Sequence, residues 1–261
     1  MAQATPLKTP IKNKTVRNNS AHALREVIPR GSIVNSFPLF DAKIELELSE
    51  RDYFVKSYAA SEPVYLFWKC LQHDSGRIHD MVTCGDLEYN NEHLFKIVQD
   101  IWYKNEDPFL KSALFFILNS SSETGLISSG KFGKQKYNPL TLNYLKNFKC
   151  QDNLAFLYKK DLEPQEVIEA SESDEYNLIQ GGNFDFSLFL HGKNRGIEET
   201  LINHRKLATF ICKTKKKTVI TYDFNPKISF LFKKLNFTYI DEYGKITNQK
   251  KNAKEIIIAN F

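Results

Sequence analysis

The C-terminal third of the chain alternates two kinds of segment, and this alternation limits the fold more than any other feature. Short apolar runs rich in β-branched and aromatic residues, at 154–158, 176–179, 218–222, 237–240 and 255–258, are separated by helical spacing near 198–210 and 227–235. The short runs read as strands. Strand-helix-strand repetition lays helices across a mostly parallel sheet, because parallel strands need long crossovers. The fold class is therefore α/β, and 261 residues suit one such core with an insertion.

The N-terminal half supplies the rest of that core. A helix is predicted over about 20–27, stopped near Pro29, and then 32–37 reads as a short buried strand. From 41 to 49, Ala42, Ile44, Leu46 and Leu48 alternate with Lys43, Glu45 and Glu47, which predicts a half-buried strand, and 52–55 is a further strand candidate. Pro63 opens a long apolar helix. Between 92 and 118 the apolar residues move to three-and-four spacing, which predicts two helices broken near Asp107-Pro108. The turn-rich stretch SSSETGLISSGKFG at 120–133 predicts a hairpin-like loop, followed by a helix near 139–148. These readings divide the chain into a flexible N-terminal arm over 1–19, a core over 20–85 and 150–261, and a helical insertion over 86–149.

Composition bounds the partners. A formal charge of +5 and a pI near 8.8 permit contact with an anionic polymer without announcing one. Cys70, Cys84, Cys150 and Cys212 lie far apart, and neither they nor the six histidines show metal-ligand spacing, so no metal is expected. No apolar run approaches the roughly 20 residues of a membrane span, and the opening segment lacks the apolar core of a signal peptide. The expectation is a cytoplasmic protein with no membrane partner. No Ser, His and acid set for nucleophilic catalysis emerges.

Several segments, in order, resemble the Dam-type DNA adenine-N6 methyltransferase family. The end of the chain carries the likeness most specifically: Val219-Ile220-Thr221-Tyr222-Asp223 with Pro226, a helix, then Glu255-Ile256-Ile257-Ile258-Ala259-Asn260-Phe261. Asn203-His204-Arg205-Lys206-Leu207-Ala208 is similar to a family helix upstream of it. Asp107-Pro108-Phe109-Leu110 and Gly130-Lys131-Phe132-Gly133 resemble parts of the family's DNA-recognition subdomain. The resemblance covers about residues 20–261 and implies a Rossmann-like methyltransferase sheet with an inserted helical and hairpin recognition subdomain. It also implies S-adenosylmethionine as cofactor and double-stranded DNA as partner.

The motifs that carry the family's chemistry match in position and not in content. An acid and a glycine-rich turn hold the methyl donor in the family, since only glycine lets the backbone approach closely. Here the stretch reads Asn35-Ser36-Phe37-Pro38-Leu39-Phe40. The acid that grips the ribose falls on alanine, with Glu62 as a nearby substitute or a simple helix first-turn charge. At the DPPY position, where the family's acid and aromatic hold a flipped adenine, stand Gln180, Gly181, Gly182 and Asn183. A shifted register offers Phe184, Asp185 and Phe186. The glycine-containing N-terminal family motif is missing from 15–20. Lys131, Lys134, Lys136 and Tyr137 are the candidates for DNA contact, as basic groups interleaved with an aromatic suit backbone contact and stacking. The run Lys213-Thr214-Lys215-Lys216-Lys217 is either a phosphate site or a solvated turn.

Taken together, the expectation is a catalytically inactive Dam-like pseudo-methyltransferase with no bound cofactor. Its partner would be DNA, or a protein such as an active methyltransferase or a larger, for example phage, assembly. The alternatives are an active adenine methyltransferase that uses S-adenosylmethionine through divergent motifs, and a purely structural protein.

Overall fold

In the computed structural model, residues 8–13, 19–84, 91–133, 139–183 and 200–261 are described. A short helix α1 (Ala21–Leu24) precedes strand β1 (Ile33–Phe37), helix α2 (Lys43–Ser49), strand β2 (Phe54–Ala59) and helix α3 (Glu62–His73). Four helices follow: α4 (Ser75–Thr83), α5 (Glu92–Ile101), α6 (Pro108–Ser121) and α7 (Pro139–Lys146). Then come β3 (Leu154–Tyr158), α8 (Pro164–Ala170), β4 (Tyr176–Gly182), α9 (His204–Ile211), β5 (Thr218–Asp223), α10 (Ile228–Leu231), β6 (Asn236–Ile240) and β7 (Glu255–Ala259).

The strands form one seven-stranded sheet in the order β3-β2-β1-β4-β5-β7-β6. β1 pairs in parallel with β2 and β4, β2 with β3 and β4 with β5, whereas β7 runs antiparallel between β5 and β6. This is a mostly parallel, doubly wound α/β sheet, the fold class that the sequence predicts. The chain steps outward through β1, β2 and β3, then returns to β4 beside β1. That reversal opens a crevice at the carboxyl ends of β1 and β4, the place where doubly wound sheets receive ligands.

Two cores follow from the two faces. On the first, Val34, Val55, Leu178 and Val219 of the sheet pack against Leu24 of α1, Ile44 and Leu48 of α2, Phe67 and Trp68 of α3 and Phe115 of α6. On the second, Phe37, Ile179, Ile220 and Ile258 pack against Val167 of α8, Leu207 and Ile211 of α9 and Ile228 of α10. α6 is anchored at its start by Asp107, whose side chain accepts the Leu110 N–H at 2.7 Å, and Pro108 occupies its first turn. The 120–133 stretch closes as a narrow loop, with Ser122 bridged to Phe132 and the Gly133 N–H donating to the Ser121 carbonyl at 2.8 Å.

Three readings of the sequence change. Residues 43–49 are helix α2 and not a strand. Lys, Glu and Leu are strong helix formers, and the buried set includes Glu45 beside Ile44 and Leu48, which a strand would put on opposite faces. The N-terminal arm is not free over 9–12: Ile11 is 2% exposed in the first core, and the Lys12 N–H donates to Asn119 Oδ1 at 2.9 Å. Two helices, α4 and α8, stand where the sequence was read without any, and α8 begins with a reciprocal capping box between Glu163 and Glu166.

Candidate functional site

At the carboxyl end of β1 the chain leaves through Phe37, Pro38, Leu39 and Phe40. Phe37 is wholly buried in the second core beside Ile179 and Tyr222. The Leu39 N–H donates to the Tyr58 carbonyl at 2.8 Å, and its side chain is 2% exposed in the first core. The Phe40 carbonyl accepts the Trp68 indole N–H at 2.7 Å, and its ring lies 6.5 Å from that of Phe115. This turn is thus stapled to β2, α3 and α6 by large side chains. A glycine turn leaves backbone N–H groups facing open space; here Leu39 and Phe40 side chains are packed into the core at that position.

Asn35, at the position of the expected acid, is committed elsewhere. Its amide donates to Glu175 Oε2 at 2.8 Å and its carbonyl oxygen accepts from the Tyr58 hydroxyl at 3.4 Å. Glu175 also accepts from Lys56 Nζ at 2.6 Å and from the Glu172 N–H at 3.1 Å. Burial pushes the Glu175 carboxyl upward, but these donors outweigh it and leave it below the usual carboxylate range. Glu62 is exposed at the first residue of α3. Close by, the rings of Tyr65 and Tyr158 stack at 5.6 Å. Burial raises the Tyr158 phenol, with the Glu62 charge adding to it.

At the end of β4, Gln180 turns its side chain inward, toward the first face. Its amide donates to Glu45 Oε1 at 2.7 Å and to Ser36 Oγ at 3.0 Å. The same Glu45 oxygen accepts from Ser36 at 2.9 Å and Ser57 at 3.2 Å. Glu45 is fully buried, and its second oxygen, Oε2, has no hydrogen-bond partner among the described residues. Burial pushes the carboxyl up, and the Asp41 charge adds to the push. Burial favours the neutral carboxyl, while the three donors on Oε1 favour the charged one, and burial outweighs them. This knot of Glu45, Ser36, Ser57 and Gln180 escaped the sequence reading, which put Glu45 on the wet side of a strand.

Gly181 follows in close contact with Tyr222 of β5. A Cβ at Gly181 would lie 2.1 Å from Tyr222 Cε1, so the ring covers the backbone directly. The Tyr222 hydroxyl meets His204 Nδ1 at 2.9 Å, and burial raises the phenol strongly. Gly182 has φ +64°, in the region glycine tolerates, where the pairing with β5 slips register. Asn183 is exposed.

The structure therefore brings Phe37, Pro38 and the Gln180–Asn183 segment to the carboxyl ends of the neighbouring strands β1 and β4, with Glu62 beyond the exit of β2. Asn35, by contrast, lies earlier in β1, opposite Asn177, and bonds Glu175 at the amino end of β4. Asp185 and Phe186 lie outside the described residues. Lys131 is exposed in the narrow loop, its carbonyl accepting the Glu123 N–H at 2.8 Å, while Lys134, Lys136 and Tyr137 lie outside the described residues. Among the described residues, no cluster of three or more His, Cys, Asp and Glu could hold a metal ion. No described helix is long and apolar enough to cross a membrane.

No family model matches this chain. No curated protein does either. Among solved structures, it is similar to a TehB-like SAM-dependent methyltransferase from Corynebacterium glutamicum, with 6% identity and a TM-score of 0.39 over 92% of this chain and 85% of that one. At that level the likeness adds nothing to what the strand order already establishes. The doubly wound α/β fold stands on its strand order alone.

Proposed function

We propose that this chain is a Dam-like scaffold that has given up methyl transfer and works as a binding module for DNA or for a protein partner. The observation that carries the reading is the coincidence of two substitutions at one crevice. The residues fit S-adenosylmethionine poorly on the β1 side, where buried Leu39 and stapled Phe40 occupy the turn. They fit a flipped adenine poorly on the β4 side, where Gln180 is drawn into the Glu45 knot and Tyr222 covers Gly181. An enzyme would have to replace each half by other means. A scaffold kept for binding needs neither.

The test is isothermal titration of the purified protein with S-adenosylmethionine, with S-adenosylhomocysteine as the control ligand. The expected result is no heat of binding at millimolar donor. Micromolar affinity would overturn the proposal and direct attention to methyl transfer through Glu62 and the Asp185 register.

A further inference from the structure

The second face of the sheet carries a feature that the crevice does not use. α9 buries His204, Leu207, Ala208 and Ile211 at helical spacing. Its other side, with Asn203, Arg205, Lys206, Thr209, Phe210 and Lys213, lines an open groove of about 550 Å³. Three of these lining residues are cations, one of them beside a carboxylate of the neighbouring helix. Glu163 reaches in from α8 and pairs with Lys206. The basic run at 213–217 separates here into distinct roles. Lys216 donates to the Ser171 carbonyl, and Lys217 sits 4.7 Å above the Tyr176 ring, so both serve the protein's own structure, while Lys213 turns to the groove.

We propose that this groove is a docking site for the sugar–phosphate backbone of a nucleic acid. Lys206 lies within α9 and Lys213 in the turn just after its end at Ile211, with roughly 7.5 Å of helix between Lys206 and that end at 1.5 Å per residue, about two nucleotide rises of 3.4 Å. Cations on long flexible stems, two neutral polar side chains and the half-buried ring of Phe210 form a surface that neutralises phosphates without reading base edges. An acidic protein segment would meet the same charge. The groove's length, and a described lining whose one apolar side chain is Phe210, with no apolar pocket for an anchoring side chain among these residues, favour the regular polymer. The site lies on the sheet face opposite α3 and α6, so it is separate from any contact made by Lys131, and it does not depend on whether a methyl donor binds.

The experiment is fluorescence anisotropy of labelled random-sequence oligonucleotides, duplex and single-stranded, titrated with the full chain between 50 and 200 mM salt. It is repeated on the triple variant Arg205→Gln, Lys206→Gln, Lys213→Gln, and on Lys131→Gln. The wild type is expected to bind either oligonucleotide with a steep salt dependence. The triple variant should lose at least about tenfold in affinity at 50 mM salt, and its log–log salt slope should fall by about 2 to 3, close to one for each phosphate contact removed. Its thermal midpoint should stay near the wild-type value, since the three side chains lie at the surface. Absence of wild-type binding at 50 mM salt, or a triple variant with the wild-type slope, overturns the proposal. Equal binding of polyglutamate overturns it in favour of an acidic protein partner. Donor titration of the same variant keeps the two proposals distinguishable, because the groove's failure leaves the crevice result untouched.

Discussion

Replacing Glu45 by glutamine separates the charge of a buried carboxyl from its hydrogen bonds. In the wild type, burial holds the folded pKa above the unfolded value. Below the unfolded value both states are protonated and the group contributes nothing to the pH dependence. Between the two values the unfolded chain has released a proton that the native state still holds, so stability falls as pH rises, by up to about 1.4 kcal/mol per pH unit. The loss is complete above the folded pKa. Glutamine keeps an acceptor oxygen for Ser36, Ser57 and Gln180 and does not titrate. The Glu45→Gln variant should therefore match the wild type near pH 4 to within about 1 kcal/mol, the cost of one additional unpaired amide hydrogen. It should gain on the wild type progressively above that pH. Glu45→Ala, which strands those donors and opens a cavity, should cost about 3 to 5 kcal/mol near pH 4, and its deficit should shrink at higher pH as the wild type loses stability. Urea unfolding followed by circular dichroism from pH 4 to pH 8.5 reads all three. Glu255, a second buried carboxyl with a raised pKa, contributes equally to wild type and variant and cancels in the difference. A difference curve flat in pH would refute the reasoning, since it would mean that Glu45 titrates alike in both states.

Two further outcomes follow from close contacts. Gly181→Ala drives a methyl group into the Tyr222 ring and should destabilise by about 1 to 3 kcal/mol, seen as a lowered thermal midpoint; an unchanged midpoint would show that the ring can swing away. Asn119→Ala removes the side chain that accepts the Lys12 N–H and donates to the Lys12 and Gly125 carbonyls. Trypsin should then cleave after Lys12 at least several-fold faster while α6 remains folded by circular dichroism, and an unaltered cleavage rate would show that Ile11 alone holds the segment.

How much of this was legible depended on whether local pattern and tertiary placement agreed. β4, β5 and β7 could be read because strands inside a sheet are apolar on both faces and stand out as short runs. α2 could not, because its apolar residues at 42, 44, 46 and 48 mimic a period of two while its helix formers decide the backbone. α8 carries a start that is readable in the sequence, Glu163-Pro164 with Glu166. For the site, the position of Gln180 followed from counting strands, but the direction of its side chain did not. That direction depends on Glu45 lying inside, which in turn depends on α2 being a helix, so one misread element concealed the knot. The packing of Leu39 and Phe40 was foreseeable as bulk where glycine belongs; the particular partners, Tyr58 and Trp68, come from elements distant in sequence.

The place of β7 has a consequence for the order of events during synthesis. β7 leaves the ribosome after β6 yet lies between β5 and β6, and Glu255 at its start accepts the Asn19 N–H at 2.9 Å across 236 positions. While the chain is still growing, β6 has no neighbour to pair with and the segment at 19–20 lacks this anchor. The first five strands can assemble as they emerge, but the far edge of the sheet must wait, with β5 exposed as a temporary edge. A chain stalled or cut before residue 255 would present that edge to other molecules, which is the condition under which sheets recruit strands from their neighbours.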